Sequence, residues 1–316
     1  MRISNELRDL AAASALSALL FASGVLVPLL GQAAGFLSAT PLIWLAARHG
    51  WSAGLLGGLL ATVALLPALP PPIALVFSLE HALPAWYLGS TIRRGKGIFA
   101  ASSVAALVVT AVMIVAALFM TGNGHDPVQV LEQQLREGLA EFGSAGGPAV
   151  TGPPAPLDAN LEEVLAILRR VLPAVTLIGV FLECSLNSLL AARILARGDA
   201  ATKPRNLTIL RLPEWLVWVL IPALALCWTP QTRVASIALN VVVALLFAYL
   251  VQGFSITLHL AAWLRLSRFG RIMFASSLVF FRWLFVIPLL LGLLDFRFDF
   301  RKRWPLPPAP GEPPGM

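Results

Sequence analysis

The chain has 316 residues, 58% of them hydrophobic and only 12% charged, and a net charge of +7; its mean hydropathy is +0.81. A water-soluble domain carries roughly twice that share of charge, about 25%, so the composition excludes an ordinary soluble enzyme and makes a bilayer the burying medium. The positive charge does not mark a nucleic-acid binder, because Arg93, Arg94 and Lys96, then Arg197, Lys203, Arg205 and Arg211, then Arg265, Arg268 and Arg271 all fall between apolar runs. The positive-inside rule gives cytoplasmic loops that placement, and no basic domain with interleaved aromatics is present.

Residues 10–31 form the first apolar run, longer than the ~7–15-residue apolar core of a cleaved signal peptide. Ser14, Ala18 and Ala22 recur every fourth residue, a spacing that lets another helix approach closely in lipid. They are expected to pack within the chain or, on the sharper reading, to dock a membrane coupling protein. The second run, 33–48, is short and contains Pro41, so a tilted, partly unwound or re-entrant segment is expected. The third, 50–69, carries Gly50, Gly54 and Gly58 at four-residue intervals, a helix-packing face.

Residues 72–94 hold the main point of interest. Glu80 and His81 stand at the middle of an apolar run long enough to cross a bilayer. A carboxylate there costs about 2.5–3.5 kcal/mol on insertion scales, so it faces protein or a hydrated cavity. Pro84 has no N–H, which removes the α-helical partner of the Glu80 carbonyl.

The fifth run, 97–121, has no ionisable residue. Residues 122–163 are acidic and expected outside. Asp126-Pro127 makes a helix start, and Val128, Leu131, Leu135, Leu139 and Phe142 would line one face of a short amphipathic helix. Residues 143–156 read as a Gly/Pro linker. Asn160 and Glu163 resemble a capping box, opening a helix that runs to Arg197 with a bend at Pro173. Glu183 and Asn187 lie one turn apart on it. Three more apolar runs follow, at 215–228, 233–264 and 272–294, the last with Arg282 at its centre. Nine crossings from an inside N-terminus would strand the basic tail (Arg297, Arg301, Lys302, Arg303) outside, against the charge rule. The end, 305–316, is proline-rich and expected to be disordered.

The expected architecture is an all-α integral membrane protein, a polytopic helical bundle with 8–9 apolar helices. It divides into an N-terminal five-helix bundle (1–121), the acidic loop (122–163), a C-terminal four-helix region (164–296) and a tail (297–316). Glu80, His81, Glu183, Asn187 and Arg282 are the candidate ligand-binding residues, since ionisable groups at equal depth can converge. Two other readings stand beside it: an ion pair that only fixes packing, and residues that face water-filled crevices. The four scattered histidines give no metal-ligand spacing, and there is no GxSxG, P-loop or dinucleotide fingerprint. No cofactor, metal or enzymatic activity is expected.

Pro41-Leu42, Arg48-His49-Gly50, Leu212-Pro213-Glu214-Trp215, Gln252-Gly253 and the closing Gly292…Asp295…Asp299-Phe300-Arg301-Lys302-Arg303 together resemble the YybS-like bacterial membrane proteins. The first six spans also resemble the substrate-binding S components of energy-coupling-factor transporters, in which small residues of the first helix meet a coupling protein. That likeness implies small-solute binding or transport in a bacterial cytoplasmic membrane, with a cytoplasmic N-terminus and a docking role for Ser14, Ala18 and Ala22. The rival expectations are a non-transporting membrane scaffold and, least favoured, an intramembrane enzyme.

Overall fold

The computed structural model describes residues 2–27, 30–122, 129, 133, 157–198, 211–280 and 282–304. Within them every regular element is helical. The chain forms two compact units, residues 1–204 and 205–316.

The first unit holds α1 (Arg2–Leu26), α2 (Leu30–Gly35), α3 (Ala39–His49), α4 (Trp51–Leu65), α5 (Pro71–Phe77), a π turn (Ser78–Ala82), α6 (Leu83–Arg93), α7 (Ile98–Gly122) and α8 (Leu157–Gly198). Its heart is the short α3, whose Leu42, Ile43, Leu45 and Ala46 are fully buried. The second apolar run is therefore a buried core helix of 11 residues, about 16 Å long and too short to cross ~30 Å of hydrocarbon. Gly50 has φ of 106° and joins α3 to α4. It makes a turn only glycine adopts readily, outside the helical face that Gly54 and Gly58 share.

The fourth run is continuous in helical form but divided into 7, 5 and 11 residues by the π turn. The cause is local. Pro84 cannot donate to the Glu80 carbonyl. The ladder widens just before it, with the Leu83 N–H bonding Ser78 O five residues back, the spacing of a π bulge.

Helix α8 opens at Leu157, so Asn160 lies inside the helix rather than capping it, and the helix continues through Pro173. It belongs to the first unit. The amphipathic helix expected over 128–142, apart from Gln129 and Gln133, and the tail at 305–316 lie outside the described residues.

The second unit holds α9 (Leu216–Leu226), α10 (Thr232–Trp263), α11 (Arg268–Phe280), a 3-10 turn (Arg282–Phe285), α12 (Val286–Phe298) and α13 (Phe300–Arg303). Helices α10 and α12 run antiparallel at backbone contact. A Cβ on Gly253 would lie 1.6 Å from Pro288 O, and one on Gly292 would lie 1.9 Å from Tyr249 O. Each glycine thus fits against a carbonyl four residues from the other, the close approach that small residues permit in lipid.

Four helices are long and apolar enough to cross a membrane, or five if the pair Phe269–Leu278 and Trp283–Phe298, bent by 103°, counts as one span. Beside them stand shorter apolar helices, α4 and α9, while α3 is short and the fourth run is divided. Large apolar side chains remain outward, as with Leu118, Phe119, Trp218 and Ile237, where acyl chains take the place of a protein partner.

Gly253→Ala should destabilise the full chain in detergent by roughly 1–3 kcal/mol or more, the cost of overpacking a contact that cannot yield. Gly179, with open space around it, is the control: Gly179→Ala should leave the thermal midpoint unchanged or slightly higher. Equal midpoints for the two variants would contradict the close crossing.

Candidate functional site

Unit 1 gathers its buried polar groups where α1, the π turn and α8 meet. The His81 ring is buried, edge-on to Phe21 with centroids 5.2 Å apart and tilted against Phe77 at 5.7 Å. Its Nδ1 lies 2.7 Å from Glu183 Oε1. The pair does not meet hydrogen-bond geometry, so it is a close contact rather than a well-aligned hydrogen bond. Glu80, half-buried, feels the charge of both His81 and Glu183. It has no ion-pair or hydrogen-bond partner among the described residues. Glu183 and the rings of Phe21 and Phe77 thus surround the imidazole.

Asn187 is fully buried one turn further along α8, and its amide is spent on the fold. Nδ2 donates to Phe36 O at 2.8 Å and to Glu183 O at 2.9 Å, and Oδ1 accepts from Thr40 Oγ1. Both N–H donors are committed, so Asn187 ties α8 to the start of α3 and has none left for a ligand. Arg282 starts the 3-10 turn in the second unit, and its side chain lies outside the described residues. Within unit 1 the structure brings together Glu80, His81 and Glu183.

The seam of α1 faces inward. Ser14 and Ala18 are buried and Ala22 is half-buried, and a Cβ on Gly57 would lie 3.5 Å from Ser14 Oγ. The neighbouring Ser17 Oγ donates to Ser38 O at 2.6 Å. That face is occupied by the chain's own helices, which corrects the docking expectation for these three residues. On α4, a Cβ at Gly54 would come 2.6 Å from Ala46 Cβ and one at Gly58 would come 2.9 Å from Ala82 Cβ. At the polar end of the unit Asp9 accepts from His49 Nε2 at 3.0 Å and pairs with Arg48 at 3.2 Å, clasping the start of α1 to the end of α3.

Sequence reasoning missed a second polar cluster, in unit 2. The Leu212 N–H donates to Gln252 Oε1, and Gln252 Nε2 donates to Asp295 Oδ2, both at 2.9 Å. Asp295 Oδ1 accepts from the Phe300 N–H at 3.1 Å. Arg211 and Lys302 both bridge Asp299. The Lys302 hydrogen bond, then the Arg211 charge, hold that carboxyl below the usual carboxylate range. Arg211, before α9, and the basic tail therefore meet at one end of the unit. The signal is present in the sequence as a polar residue inside one apolar run (Gln252) and another closing the next (Asp295), but their pairing partners are 40 or more residues apart.

Among the described residues, no three of His, Cys, Asp and Glu stand close enough to hold a metal ion. A double-mutant cycle on Thr40→Val and Asn187→Leu, read by thermal unfolding, should give a coupling of about 0.6–2 kcal/mol, the range of interhelical hydrogen bonds in membranes. Additive effects would mean that the amide does not join α3 to α8.

No curated protein and no solved structure matches the chain. A family of integral membrane proteins does match, over residues 15–296, which takes in the π turn, the Asn187 tie and the Gln252–Asp295 cluster. With four to five long apolar helices in place, the chain is a multi-pass membrane protein and belongs to the family described as Predicted membrane protein (DUF2232).

Proposed function

We propose that the chain binds a small cationic solute, or a proton in step with one, at Glu80, His81 and Glu183, as part of moving that solute across the membrane. One observation carries the reading. Glu80 is a half-buried carboxylate with no ion-pair or hydrogen-bond partner among the described residues, beside the close His81–Glu183 contact. Lone carboxylates at such depth are costly, and where they persist they mark ion or proton pathways. The π turn supports it further, since π bulges are frequent where a helix is bent to a task.

The charge pattern supports a bacterial cytoplasmic membrane with the N-terminus inside, and the YybS-like and S-component likenesses agree with a solute-handling role. A coupling protein on Ser14, Ala18 and Ala22 is not part of this reading, since the chain's own packing covers that face. No enzymatic activity is part of it either. The scaffold alternative draws on Asn187, whose role is wholly structural.

The test is thermal unfolding of the full chain in nanodiscs against a panel of small organic cations and across pH 5–8, with co-purifying molecules identified by mass spectrometry. At least one cation should raise the wild-type midpoint. Glu80→Gln should abolish that shift while leaving the unliganded midpoint within a few degrees. A collapse of folded Glu80→Gln protein, or a shift that survives the substitution, would favour the scaffold.

A further inference from the structure

Unit 2 contains a cavity of about 220 Å³ at its polar end, small beside the ~300–1,000 Å³ of drug-sized sites and suited to a head-group-sized ligand. Its walls come from the loop before α9 (Arg211, Glu214), from α10 (Tyr249, Gln252) and from the end of α12 and the tail (Asp299, Lys302). Most polar atoms here are already matched, as with Gln252 and with Asp299 between its two cations. Two groups are left over. Tyr249 is 2% exposed and its buried hydroxyl has no hydrogen-bond partner, a costly state for a group that could have been phenylalanine. Glu214 is exposed and its carboxylate has no partner among the described residues.

Charge separates along the cavity. Arg211 and Lys302 share a single carboxylate, leaving that group net positive, with unused N–H donors on both side chains. Asp295 is engaged by the Gln252 amide and the Phe300 N–H, and Arg301 is close enough to feel its charge. Glu214 is left as the negative pole.

We infer that this cavity is a binding site for a small zwitterion, whose anionic oxygens meet Arg211, Lys302 and the Tyr249 hydroxyl while its ammonium meets Glu214. A phosphate–ammonium group has this chemistry, and it could come from a phosphatidylethanolamine head group or from a free solute such as phosphoethanolamine. The site is separate from Glu80, His81 and Glu183, and its fate is independent of theirs.

Native mass spectrometry and thermal unfolding of the full chain distinguish the sources, with phosphatidylethanolamine, phosphatidylglycerol and soluble phosphoethanolamine as probes. Binding of the ethanolamine lipid alone identifies a lipid head group, and binding of the soluble probe identifies a free solute. In either case Tyr249→Phe and Glu214→Gln should each weaken binding about tenfold, the loss expected of one charge-assisted hydrogen bond. Tyr249→Phe should leave the ligand-free midpoint unchanged or higher, because it removes only an unpaired hydroxyl. Equal binding of phosphatidylglycerol, no binding of either ethanolamine probe, or binding that both substitutions leave intact would overturn the assignment.

Discussion

Hydrocarbon offers no hydrogen bond, so a polar group held inside it must find its partner within the chain. That constraint organises both units of this protein. In the first, the Asn187 amide answers it completely: its bonds reach Thr40, the carbonyl of Phe36 and the carbonyl of Glu183. The result fixes α8 against a core helix too short to hold its own place in a bilayer. In the second unit Gln252 does the equivalent work, taking the Leu212 N–H on one side and giving to Asp295 on the other. Each amide joins segments far apart in sequence.

Lipid also removes the usual reason for helices to associate, since acyl chains are as apolar as leucine. Close backbone approach takes its place. Gly253 and Gly292 show how little room that leaves, with carbonyls standing where their Cβ atoms would be. The small residues of α1 and α4 act likewise, with Ser14 and Ala18 turned into the unit and Gly54 and Gly58 set against Ala46 and Ala82. Small residues at a spacing of four therefore mark close contact without saying with what, and on α1 the neighbour is the chain itself.

That distinction explains what is legible in the sequence. Apolar runs and interruptions by charge are local, so the membrane class and the helical character can be read directly. Pairing is not local. His81 against Glu183 and Arg211 against Asp299 span about a hundred residues each, and nothing in periodicity selects one partner over another. Hydropathy alone also does not separate a run that faces lipid from one that, like α3, is largely buried by protein.

The π turn shows where a local rule and a tertiary outcome coincide. Pro84 removes one donor, and an uninterrupted α-helix would leave the carbonyl of Glu80 bare at the worst depth for it. Widening the ladder by one residue from Ser78 shifts the register of everything that follows. Through this turn His81 points inward to Phe21, Phe77 and Glu183. Glu80 stays half-buried and unmatched beside them. A helix that needed only to span would have no use for proline four residues after a buried acid. The proline, the turn and the lone acid are thus one arrangement, and the polar centre follows from the backbone chemistry of a single residue.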